Sequence, residues 1–331
     1  MRILLTGSSG WLGRFLAPRL RAAGHRVTGL DVAPGADTDI VGSVADRATV
    51  DRAFADHGIE AVIHGGALHK PDIVLYPAQA FVDVNVTGTL NLLEAAVAAG
   101  NDRFVFTSTT SLMISASIRA GKGGGAREAA WLTEEMAPLL PRNIYGVTKL
   151  SAEHLCRLHH LEHGLNIVVL RTGRFFPEDD DMAHEIAENG PNTKANEFLN
   201  RRLTVEDAAD AHVAALDRAP TLGFETFIVA APTPFLRSDC AALIADAPSV
   251  VARYFPEAEA LYAARGWTFP AHIDRVYAAE KAERLLGFRC RTDFAAILAA
   301  LADGAPLPFA HDPAYLSPGA NRATPMSRGL L

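Results

Sequence analysis

A phenol and an amine stand four residues apart in the stretch RNIYGVTKLSAE, at Tyr145 and Lys149. The surrounding pattern is helical, so the two share one face. An ammonium beside a phenol favours tyrosinate and pulls a pKa of about 10 toward neutrality. A phenolate there can take the proton of a substrate hydroxyl as hydride leaves the same carbon. Lys149 could also hold a nicotinamide ribose. The competing reading is two solvated side chains. With six tyrosines and five lysines in 331 residues, chance alone gives this spacing roughly one time in ten.

A second stretch gives the pair its context. TGSSGWLG joins an apolar run to a helical pattern and places Gly7, Gly10 and Gly13 at GxxGxxG spacing, with Trp11 and Leu12 between the last two. Glycines suit a tight turn that a pyrophosphate must touch, and the helix start adds free N–H groups and a positive dipole end. Asp31 closes the next apolar run. Its carboxylate can accept bonds from ribose hydroxyls and repels a 2′-phosphate. No arginine or lysine follows in DVAPGAD, so the pattern favours NAD over NADP.

The elements that must position these groups alternate. RILLT, RVTGL, EAVIHG, RFVFTS and NIVVLRTG read as buried strands between helices at about 11–23, about 78–99 (closing on Gly100) and the Tyr-Lys segment. Uniformly apolar strands alternating with helices imply an α/β fold, a Rossmann-type doubly wound parallel sheet, with a smaller, mostly helical substrate domain. Residues 1–175 and 203–232 are expected to form the NAD-binding Rossmann domain. Residues 176–202 and 233–304 are assigned to substrate binding, and 305–331 to an extended tail rich in proline and glycine. Pro18 interrupts the first helix and is expected to kink it. The stretch 112–141, with GKGGG, reads as a long loop.

Composition narrows the function. Hydrophobic residues at 49% and charged residues at 21% allow a large core, and a net charge of -7 argues against nucleic acid or an anionic membrane as partner. No apolar run is long enough to span a bilayer. Three scattered cysteines fit a reducing compartment, so a cytoplasmic location is expected. Cys156, His160 and His163 share a helix face, but without a fourth ligand they are read as a polar face; no metal is expected.

TGSSGWLG, Asp31, NVTGT at 85–89, FVFTSTTS and YGVTK together resemble the extended short-chain dehydrogenase/reductases, the NAD-dependent epimerase/dehydratase group. The resemblance implies Tyr145 as acid/base with Lys149 as its partner, and Thr109 as the catalytic hydroxyl, Ser108 being the alternative. It places Gly65, Gly66, Ala67, Thr107, Thr172 and Gly173 along the NAD cofactor, Ser43 and Val44 near adenine, and Asn85 beneath the site. It also implies a homodimer. Thr110 and Ser111 replace the Asp-Glu of the family's 4,6-dehydratases, which argues against dehydration.

The short, acidic segment after Gly173 suits a nucleotide diphosphate poorly, with only Lys194, Arg201 and Arg202 to compensate. RTGRFFPEDDD is similar to uronate dehydrogenases. Arg174 could then grip a carboxylate or pair with Glu178, and His69 and Thr110 could face the substrate. The expected function is oxidation of a small sugar, sugar acid or polyol with NAD. A sugar or nucleotide-sugar epimerase is the alternative, followed by a non-catalytic NAD-binding regulator.

Overall fold

The computed structural model describes residues 1–179 and 188–318. Its strands are β1 (Arg2–Thr6), β2 (Arg26–Asp31), β3 (Ile40–Val41), β4 (Ala61–His64), β5 (Arg103–Thr109), β6 (Ala130–Leu132), β7 (Asn166–Thr172), β8 (Phe224–Val229) and β9 (Arg275–Tyr277). Between them run α1 (Trp11–Ala22), α2 (Arg47–His57), α3 (Ala78–Phe81), α4 (Gly88–Ala98), α5 (Ala116–Ala120) and α6 (Ile144–His163). The later helices are α7 (Gly190–Glu197), α8 (Val205–Leu222), α9 (Cys240–Ala245), α10 (Ala247–Tyr254), α11 (Ala258–Ala263) and α12 (Phe294–Asp303).

Seven strands form one parallel sheet in the order β3-β2-β1-β4-β5-β7-β8. Helices cover both faces, which is why the strands are apolar throughout. Leu5, Ile63, Val105 and Leu170 face α1 and α8 on one side. Leu4, Val62, Phe104 and Val169 face α2, α4 and α6 on the other. Each such fully buried side chain contributes about 1.5–3 kcal/mol over leaving it exposed. In this Rossmann-type sheet the strand order reverses between β1 and β4, the switch point where such folds bind ligands. β5 and β7 pair with Ser108 opposite Arg171 and Thr109 opposite Thr172.

Several elements differ from the sequence reading. The single helix expected over 78–99 is three pieces: α3, a π-helical stretch Val82–Thr87, and α4. Gly100, φ +68°, follows the cap residue Ala99. Pro18 lies inside helix α1, where the sequence put it, and is exposed. The stretch 112–141 is an ordered arm, not a free loop. It contributes β6, which pairs in parallel with β9, and its Ala129 N–H donates to the Cys240 carbonyl at 2.9 Å. The described part of the tail is tied to the body. Phe309 stacks on Phe198, the Asp312 N–H donates to the Pro177 carbonyl at 2.8 Å, and Tyr315 packs edge-on against Trp11. Residues 319–331 of that predicted tail, and 180–187 of the predicted substrate region, lie outside the described residues.

Candidate active site

At the carboxyl ends of the strands lies a cleft of about 910 Å³. Its floor comes from β5, α6 and β7. Asn143 caps α6 by accepting the Gly146 N–H at 2.9 Å, which places Tyr145 in the first turn. Lys149 follows one turn on, 3% exposed, with its Nζ 4.1 Å from the centre of the Phe106 ring. The electrostatics correct the sequence reading. Burial dominates at Tyr145 and raises the phenol to about 12; a hydrogen bond with Thr109 opposes this, and Asp72 adds to it. Burial lowers Lys149 to about 7, against the opposing pull of Cys156 and Glu153. At Tyr145 burial therefore outweighs any help the phenol takes from its neighbours, and the spacing alone does not bring it toward neutrality.

Thr109 is the hydroxyl beside Tyr145, and it also accepts the Ser111 N–H at 3.1 Å. Ser108 also reaches the cleft, but its Oγ donates to Glu153 at 2.6 Å. Thr110 and Thr172 line the cleft and cross-link the strand ends: the Thr110 hydroxyl donates to the Thr172 carbonyl and the Thr172 hydroxyl to the Ser108 carbonyl, both at 3.2 Å. His69 stands with its ring 6.3 Å from that of Tyr145, and its backbone N–H donates to the buried Asp72 carboxylate at 2.6 Å.

The other end of the cleft is built on the glycine turn. Gly7 has φ +77°, and a Cβ there would stand 2.8 Å from the Gly66 nitrogen, so β1 and β4 close up only around glycine. A Cβ at Gly13 would meet the Gly7 carbonyl oxygen at 2.3 Å. Gly13 therefore seats α1 on the turn and lies outside the cleft lining, whereas Gly7, Gly10, Trp11 and Leu12 line it. Helix α1 has no side-chain cap and no acidic residue in its first turn. An uncapped amino end with no carboxylate beside it fits a pyrophosphate. Asp31 accepts the Ser9 and Ala33 N–H groups at 3.0 and 3.1 Å and faces the cleft at the end of β2. Ser43, Val44, Gly65, Gly66, Ala67, Thr107 and Gly173 line it as well. Asn85 does not. It is buried beneath, donating to the Leu68 carbonyl at 3.0 Å and to Thr148 at 3.1 Å, and accepting the Leu68 N–H at 2.9 Å.

Arg174 also lines the cleft. Its guanidinium donates to the Asp179 carbonyl at 2.8 Å and lies 3.7 Å from Glu178 Oε1, the pairing weighed against a carboxylate grip. Arg202 is buried on Glu197 and the Phe176 carbonyl, and Lys194 on His311, while Arg201 reaches the cleft. Residues that the sequence did not mark also line it: Arg142, Phe176, Arg275, Tyr277 and Tyr315. Arg142 and Phe176 lay in stretches already singled out, RNIYGVTKLSAE and RTGRFFPEDDD. Cys156, His160 and His163 form no site. Cys156 is buried, and the His160 ring pairs with the Leu165 carbonyl at 2.9 Å. Among the described residues no group of three or more His, Cys, Asp or Glu could hold a metal ion, and no helix is long and apolar enough to cross a membrane.

The model of the NAD dependent epimerase/dehydratase family matches residues 3–230. The chain belongs to this family. It is an NAD-dependent enzyme rather than a regulator, as the uncapped turn and Asp31 also fit. Its relatives include epimerases, a dTDP-glucose 4,6-dehydratase and a dehydrogenase. UDP-glucose 4-epimerase of Rhizobium meliloti is 30% identical over 65% of this chain and 72% of its own length. L-arabinose 1-dehydrogenase (NAD(P)(+)) of Haloferax volcanii is 33% identical over 54% of this chain and 69% of its own. Among solved structures, a mutated uronate dehydrogenase superposes with a TM-score of 0.60 at 21% identity, covering 96% of this chain and 92% of the other; that likeness speaks to the fold.

Proposed function

We propose that the chain is a dehydrogenase that oxidises a hydroxyl of a small sugar, sugar acid or polyol. The observation that carries this reading is the meeting, in one cleft, of the Tyr145–Thr109 hydrogen bond, the buried Lys149 and the glycine turn with Asp31. When bound, NAD supplies the hydride acceptor. Gly7, Gly10, Trp11 and Leu12 would hold its pyrophosphate, Asp31 the ribose hydroxyls, Ser43 and Val44 the adenine, and Gly65 to Ala67, Thr107, Thr172 and Gly173 the remaining length. Thr109 orients the substrate hydroxyl and Tyr145 takes its proton. At about 12 the phenol rests neutral, so Tyr145 can take the substrate's proton only after releasing its own, a release that a positive charge drawn close to the phenol favours. Residues 176–179, 188–202 and 233–304 form the substrate side, and His69, Thr110 and Arg174 meet the substrate from across the cleft. By the same reading the enzyme works as a cytoplasmic homodimer.

A second reading has one observation in its favour. Arg119, Arg142, Arg201 and Arg275 also line the cleft, and guanidinium groups suit a diphosphate. A UDP-sugar epimerase would use them so. Incubating the protein with NAD and separate panels of free sugars, sugar acids and UDP-sugars decides the matter. Accumulating NADH with a free sugar or sugar acid supports the dehydrogenase. A UDP-sugar converted to its 4-epimer without net NADH would replace that reading with the second.

A further inference from the structure

Under the floor of the cleft lies a buried ion pair that the chemistry above does not use. Glu153 and Arg171 are 7% and 6% exposed. Arg171 Nη2 donates to Glu153 Oε2 at 2.7 Å and Nε to Oε1 at 3.0 Å, while the Ser108 hydroxyl donates to the same Oε1 at 2.6 Å. Each partner adjoins a residue of the site. Ser108 precedes Thr109 on β5, Arg171 precedes Thr172 on β7, and the two strands pair in that register. Glu153 follows Lys149 by one turn of α6, as Lys149 follows Tyr145. One carboxylate thus ties together the three elements that carry Thr109, Thr172 and the Tyr-Lys pair.

We propose that Glu153 is a positioning residue for the Tyr145–Lys149 pair: its carboxylate locks the ends of β5 and β7 to α6 and supplies the counter-charge for two cations buried below the cleft. The inference rests on the reading of Tyr145 and Lys149 as the acid–base pair. A guanidinium cannot shed its proton in a protein. Without Glu153, two buried cations would lack an anion, and Lys149 is the one able to neutralise. The other groups facing Lys149 supply no negative charge. Burial and Lys149 push the His64 imidazole on β4 well down, so it is neutral. Burial pushes the Cys156 thiol on α6 up, so it keeps its proton. β5 offers the Phe106 ring. Tyr145 is neutral, and Asp72, in the turn after β4, acts on Tyr145. Cys156 and Glu153 are the two groups placed to oppose burial at Lys149, and because the buried thiol keeps its proton the Glu153 carboxylate is the charge that remains.

The test is lysine-selective isotope labelling and NMR titration of the full chain. Only five lysines are present, and Lys149→Met identifies the signal. In Glu153→Gln the Lys149 midpoint is expected to fall by about one pH unit or more. In Ser108→Ala, which keeps the charge, it should move by less than about half a unit. Adding Arg171→Met to Glu153→Gln should bring the midpoint part of the way back and restore folding should the single variant not fold. An unchanged midpoint in folded Glu153→Gln, or no recovery in the double variant, overturns the proposal. The titration needs neither substrate nor NAD, so it stands or falls separately from the assignment of a dehydrogenase.

Discussion

The floor of the cleft and the wall that faces it are built differently. The floor consists of two in-register strand ends and a capped helix: Thr110 and Thr172 cross-link the strands, Tyr145 bonds to Thr109, and Lys149 packs over the Phe106 ring. The wall consists of turns and a tail. Arg174 leans on Glu178 in its own loop, Arg275 sits on a three-residue strand, and Tyr315 arrives from near the carboxyl end to meet Trp11. Chemistry shared across a family belongs on the rigid part, and selectivity for one substrate belongs on the part assembled from turns.

Breaking the floor should cost most. Tyr145→Phe, with the fold kept, is expected to lower kcat by about 10²–10⁴-fold while NAD affinity holds. Steady-state kinetics and calorimetry separate the two effects. On the wall, Arg174→Met and Arg275→Met should raise KM for an acidic sugar by about ten- to a hundredfold if either guanidinium grips its carboxylate. A neutral polyol assayed beside it should be little affected. The variant that discriminates between acid and polyol shows which arginine reads the charge. At the mouth, Tyr315→Ala should weaken NAD binding by only a few-fold, since one edge-on aromatic contact contributes about 0.5–1.5 kcal/mol.

The floor also has a stability signature. Lys149 is lowered by burial from its ordinary 10.5 to about 7. Between these values the unfolded chain binds more protons than the folded one, so Lys149 makes stability rise with pH across that window. Below about pH 7 its cost is fully present. Lys149→Met should melt higher at neutral pH and lose that part of the pH dependence. Thermal melts of both proteins between pH 6 and 10, a window of about this width, check it.

The same division decided what the sequence could reveal. Gly7, Gly10, Asp31, Tyr145 and Lys149 act through local spacing, one turn of helix or the end of one strand, and such spacing is written directly in the chain. Arg275 and Tyr277 reach the cleft because β9 pairs with β6 some 145 residues earlier, a contact with no local period. Tyr315 lies in a segment whose prolines and glycines spoke only for loop. The Glu153–Arg171 pair left one trace, an arginine inside the apolar run NIVVLRT. The pull of Lys149 on Tyr145 was misjudged because spacing shows who the neighbours are, whereas burial depends on the whole fold.

The central claim is that this cleft passes a hydride from a small hydroxyl compound to NAD and keeps it there. Monitoring nicotinamide absorbance with purified protein, NAD and a free sugar acid or aldose tests this most directly. The account predicts NADH accumulating in step with oxidised product, and none from Tyr145→Phe. Interconversion of a UDP-sugar with no standing NADH would contradict it.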